Sequence, residues 1–254
     1  MLPAVRLLLL GSLLGLPLGA ESSIPVTDPQ ITVRLYDYAN MAQEVLERAR
    51  RQAAHIYRRA GLRLSWEICP ISDDAARENR DCSRRADAAT IRMSILSKIM
   101  AKKMANKSTE FGYAVALANG HGVIAGIFYE RTVREADSVG IARHTMLGHT
   151  IAHEIGHLLL GPGSHSTQGI MTPNWTQREI YLAGMNTFVF TESQATKIKA
   201  QARARNQEAA VQWAERNERP SGRNELTSSD EIAWISGRGR AKSDERALTR
   251  DSAH

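Results

Sequence analysis

Two histidines four residues apart on a helix are spaced to share one metal ion, and this sequence sets such a pair around a glutamate: His153-Glu154-Ile155-Gly156-His157. Residues i and i+4 lie on one helical face with Cβ atoms about 5–6 Å apart. Two imidazole nitrogens can then converge on a zinc ion at about 2.0–2.1 Å each. Glu154 borders the same face, where it can accept a proton from a water that the metal activates. Two imidazoles and a carboxylate on one apolar helix are costly to bury without a partner, which weighs against a purely structural role. A catalytic zinc takes three protein ligands and keeps a position open for water. His165, in Gly161-Pro162-Gly163-Ser164-His165-Ser166, is the candidate third ligand, because the glycine-rich turn lets the chain double back. His149, Glu179 and Glu192 are alternatives. His149 shares the helical face, but three ligands along one straight helix span about 12 Å, too far for one metal. A downstream glutamate would make a site of two histidines and one carboxylate.

These residues need a frame, and the periodicity predicts a single α/β domain. Ile31, Val33 and Leu35 alternate with polar neighbours, as in a half-buried strand. Asn40 is expected to cap a helix over 41–60, with Gly61 ending it. Leu62, Leu64, Trp66 and Ile68 mark a second strand, and a third is expected around 90–96. Segments 111–117 and 123–129 read as a hairpin joined through Asn119-Gly120-His121-Gly122. The helix bearing the histidine pair is expected over 138–160, started by Asp137 or Ser138 and ended by Gly161-Pro162. Thr191 followed by Gln194 signals another helix running to about Asn206.

The ends of the sequence speak to location. Residues 1–20 combine Arg6, an apolar run over 7–18 and the small residues Gly19 and Ala20, the pattern of a secretory signal peptide cut near Ala20. The run is too short and too broken by glycine and proline to span a bilayer well, so no stable membrane association is expected after cleavage. The protein is therefore expected to be secreted or periplasmic. Cys69 and Cys82, the only cysteines, would pair in such an oxidising compartment. A formal charge of +6, with both signs interspersed, gives no nucleic-acid footprint. The expected organisation is a signal peptide over 1–20, a catalytic domain over 21–206, and a polar tail over 207–254 with some helix around 209–217.

The stretch HEIGHLLLGPGSHS…GIMTPNW, 153–175, resembles the metzincin clan of zinc metallopeptidases, whose signature is H-E-x-x-H-x-x-G-x-x-H followed by a methionine turn. The resemblance covers roughly residues 30–205, though only 153–175 are specific. It implies a mixed, twisted sheet with an active-site helix and a C-terminal helix. It further implies Zn²⁺ held by His153, His157 and His165, Glu154 as general base in peptide hydrolysis, and Met171 as the turn methionine beneath the metal. In that clan an edge strand pairs with extended substrate. Here 122–130 is expected to do so, with a peptide or protein as the substrate. This chain departs from the clan pattern in one respect: Gly161 falls four residues after His157 and His165 eight, two more than the signature in the second case. No tyrosine lies two residues after Met171, so the oxyanion partner of some clan members has no counterpart by position.

Overall fold

The five strands fall where the alternation places them, and the computed structural model describes residues 28–104, 110–116 and 122–218. Residues 1–20, expected to be a signal peptide, the expected hairpin connection with His121, and 219–254 lie outside the described residues. In chain order the elements are β1 (Gln30–Asp37), α1 (Gln43–Arg59), β2 (Arg63–Cys69), the short helices α2 (Asp73–Glu78) and α3 (Arg80–Ser83), β3 (Thr90–Leu96), α4 (Lys98–Met104), β4 (Gly112–Ala116), β5 (Gly122–Phe128), α5 (Tyr129–Val139), α6 (Arg143–Leu160), α7 (Gln177–Gly184) and α8 (Glu192–Glu218). The contacts divide the chain into two units, Met1–Gln212 and Trp213–His254. Of the second, the described residues are the end of α8.

A five-stranded mixed sheet in the order β2-β1-β3-β5-β4 organises the first unit. Its first four strands run parallel, and β4 joins β5 antiparallel. Alternate residues of the central strands, among them Ile31, Val33, Leu35, Ile91, Met93, Ile95, Ala125 and Ile127, are buried in one core with Ala49, Ala53 and Ile56 of α1 and Ile151, Ala152 and Ile155 of α6. The buried Tyr57 of α1 donates to Ala152 O at 2.9 Å and ties the two helices together. Cys69, at the end of β2, is disulfide-bonded to Cys82 of α3, as expected.

Four details differ from the sequence expectations. Asn40 sits at φ 51° and does not cap α1, which starts from Ala42 without a side-chain cap. Asp37 governs that turn instead, accepting the N–H groups of Ala39 and Met41 at 3.0 and 2.8 Å. The helix expected over 138–160 is two helices. Gly140, at φ 73°, ends α5 in the left-handed conformation that glycine adopts freely, and α6 restarts at Arg143. Asp137 therefore caps nothing and holds Arg143 across the break through two bonds of 2.8 and 2.7 Å. The segment 122–130 is not an edge. β5 lies between β3 and β4, while Tyr129 and Glu130 already belong to α5. The near-continuous apolar run of β5 suits an interior strand, which leaves β4 as the edge on that side. Finally, α8 does not stop near Asn206 but continues unbroken to Glu218, through the 209–217 stretch where helix was expected.

Candidate metal centre

The late turns of α6 place His153 and His157 side by side. The Nε2 atoms of the two rings lie 3.1 Å apart. Each ring is oriented from its other nitrogen. His153 Nδ1 lies 2.7 Å from Ile170 O, and since a carbonyl only accepts, Nδ1 carries the proton and Nε2 the lone pair. His157 Nδ1 lies 2.9 Å from Ser164 Oγ. The helix then stops at Gly161, whose φ of 86° turns the chain back, and whose N–H bonds to His157 O at 3.0 Å. That reversal brings His165 over the pair, with ring centroids 4.7 Å from His157 and 5.5 Å from His153. One ligand atom from each of the three histidines falls within 4.8 Å of the others.

The 3.1 Å between the His153 and His157 nitrogens suits zinc, because two nitrogens at tetrahedral positions on such an ion are ~3.3 Å apart. Their protonation suits it too. Burial holds His153 at about 4, and burial with the neighbouring histidines holds His157 at about 3. Both rings are thus neutral near pH 7 and can bind a cation without first losing a proton.

The alternative ligands are occupied elsewhere. Glu179 is the N3 residue of a capping box at the start of α7, bonded to Thr176. Glu192 is exposed at the start of α8. His149 bonds through Nδ1 to Thr145 O at 2.9 Å and stacks on Phe188.

Glu154 is buried beside the histidines, and that burial, reinforced by the charge of Glu110, pushes its carboxyl up to about 8. It lies under β4, and a Cβ added at Gly112 would stand 2.7 Å from its Oε1 and 2.6 Å from Gly126 O. The absent side chain at Gly112 is what lets the strand pass so close to the carboxylate. Met171 is fully buried below the helix, with its Sδ 2.6 Å from where a Cβ of Gly156 would be. The turn that carries it is closed by Thr172 N–H to Gly169 O at 3.0 Å.

These groups open on a cleft of about 770 Å³ lined by Tyr113 and Ala114 of β4, Arg134 of α5, the three histidines and Trp175. Trp175 is held by its Nε1–H on Thr172 O, and its ring meets His153 edge-on with centroids 5.6 Å apart.

All three predicted histidines and Glu154 therefore come together, with Met171 packed against the same helix. Sequence reasoning missed Ser164, Gly112 and Trp175. For Ser164 a signal existed, since a hydroxyl one residue before a candidate ligand can serve another ligand's second nitrogen. Nothing in the sequence places Gly112 on Glu154.

No family model and no curated protein sequence matches the chain. Among solved structures it is similar to the crystal structure of archaemetzincin from Methanopyrus kandleri. The identity is 12% and the TM-score 0.44, over 71% of this chain and 99% of that one.

Proposed function

We propose that this chain is a zinc-dependent endopeptidase that works outside the cytoplasm. The observation that carries the reading is the convergence of three histidine nitrogens, within 4.8 Å of one another, beside a buried glutamate in an open cleft. His153, His157 and His165 would hold the ion. Bound zinc supplies a Lewis acid that polarises a scissile carbonyl and makes water a nucleophile near neutral pH.

The chain's own residues do the rest. Glu154, as the carboxylate, takes the proton of the attacking water and delivers it to the departing amine. Extended substrate lies along β4, whose outer edge has no strand partner among the described residues. Backbone groups there can pair with a peptide as an added strand, and Gly112 lets β4 pass close over the Glu154 carboxylate. This free edge favours a peptide over a small amide or ester. The apolar stretch near the N-terminus and the disulfide between Cys69 and Cys82 support export to an oxidising compartment.

Glu154→Gln tests the mechanism. It is expected to lower kcat by about 10²–10⁴-fold on any peptide the wild type cleaves, with zinc per chain unchanged by elemental analysis. Retained turnover would remove Glu154 from the reaction.

A further inference from the structure

The three ligands are not held alike. His153 and His157 ride on a helix, and each ring is oriented by a second nitrogen bond. His165 is exposed on the loop, and its ring makes no such bond among the described residues. Its position rests on the backbone beside it.

That backbone is tied at Ser166. The Ser166 N–H donates to Met171 O at 3.0 Å. Its hydroxyl donates to Gln168 O at 2.7 Å and accepts from Gln194 Nε2 at 2.8 Å. Gln194 is buried in the first turn of α8. Its Oε1 accepts the Thr191 N–H at 3.0 Å, and its own N–H reaches Thr191 Oγ1 at 3.3 Å. This reciprocal pair is the capping arrangement of a helix start. It also orients the amide, because the oxygen must face the Thr191 N–H and the NH₂ is left to face Ser166.

The same helix grips the other end of the loop. Pro162 has no N–H to offer Leu158 O, its partner one turn back along α6. Arg205 Nη2 takes that carbonyl at 2.7 Å and Gly122 O at 2.9 Å.

We infer that Gln194 is a positioning residue for the third metal ligand, acting through Ser166, so that the first turn of α8 sets how tightly His165 holds the ion. The inference rests on the zinc reading above. Its chemistry is that of an outer partner that orients a ligand, whose loss costs about 10–100-fold in metal affinity.

Competition with a chelator on the full chain measures the zinc affinity of wild type, Gln194→Ala, Ser166→Ala, the double variant and Thr191→Ala. Gln194→Ala and Ser166→Ala are each expected to weaken zinc binding by about 10–100-fold, with the double variant no worse than either. Thr191→Ala damages the same helix start without touching Ser166. It should lower the melting temperature and leave zinc affinity unchanged.

Ser166→Ala leaves both bonds between Gln194 and Thr191 in place, so it keeps the helix start while removing the tie to the loop. Wild-type affinity in a folded Ser166→Ala, or a loss in Thr191→Ala as large as that in Gln194→Ala, would overturn the inference and leave Gln194 a helix cap only. A wild-type chain that takes up no zinc would instead overturn the metal reading itself.

Discussion

The helix α6 and the loop that follows it each contribute to one cluster, yet they are built on opposite physical terms. His153 is buried, lies on a regular helical face and is bonded to Ile170 O. His165 is exposed and stands in place because the nearby Met171 turn and the sequence-distant α8 hold its neighbour. On the helix, ligand geometry comes almost free with secondary structure, since the 3.6-residue period aligns i and i+4. On the loop it comes from tertiary hydrogen bonds, each of modest net worth. A ligand added by a loop is therefore the one whose placement can be tuned or lost without unfolding the protein.

The largest effects separate the two kinds of ligand. His153→Ala and His165→Ala are both expected to lose stoichiometric zinc by elemental analysis. Their metal-free forms should differ in denaturant unfolding. His153→Ala leaves a buried carbonyl unpaired and costs about 1–3 kcal/mol, whereas the exposed His165→Ala stays within about 0.5 kcal/mol of wild type. Full zinc loading in His165→Ala would move the third ligand elsewhere.

Gly112→Ala probes the opposite wall of the cleft. Its methyl group would meet Gly126 O and the Glu154 carboxylate, so kcat is expected to fall by about 10²-fold while zinc remains bound, because small displacements of a reacting group cost that much. Loss of zinc in Gly112→Ala would mean that β4 supports the ligands rather than the carboxylate.

The disulfide region gives a third contrast. Cys69 and Cys82 lie 13 residues apart, at the end of β2 and in α3, on the sheet edge opposite β4. Replacing both by serine is expected to cost up to about 3 kcal/mol of stability on the chain-entropy model. Zinc affinity and kcat/KM should not change; a matching fall in either would couple that edge to the site.

The smallest effect is graded with pH. Burial holds His149 at about 4, below the ordinary imidazole value of 6.5, so the unfolded chain takes up the proton first. The stabilisation is present above about pH 6.5 and is lost as pH falls toward 4. His153 and His157, depressed in the same sense, add to that loss in the metal-free protein. Glu154 works oppositely. Its raised value makes its contribution full below the ordinary carboxyl value of 4.5 and lost as pH rises through about 8. His149→Gln should flatten the acid limb of metal-free stability measured by denaturant titration, and an unaltered limb would assign it to the other two histidines.

Much of this molecule was legible in its residues. The alternation at Ile31, Val33 and Leu35, the histidine pair with Glu154 between, the glycine stop at Gly161 and the pairing of Cys69 with Cys82 all rest on local periods or on a choice of one partner. Local spacing is enough there because a helix or strand converts sequence distance directly into spatial direction.

Strand order was a different matter. That β5 is interior and β4 the edge depends on which strands pair, and β5 finds β3 in parallel while β4 folds back on its outer side. Period alone cannot tell an edge strand from its neighbour. Nor could spacing choose among His165, Glu179 and Glu192. What brings His165 to the pair is a chain reversal at Gly161, with a hydroxyl on His157 and an amide from α8 nearly thirty residues further on. The sequence by itself determined the helical half of the site, because its geometry is that of a single element. Tertiary structure alone decided the place of the loop histidine, the strand over Glu154 and the sheet edge formed by β4, because each depends on elements that meet only when the sheet and its helices have packed.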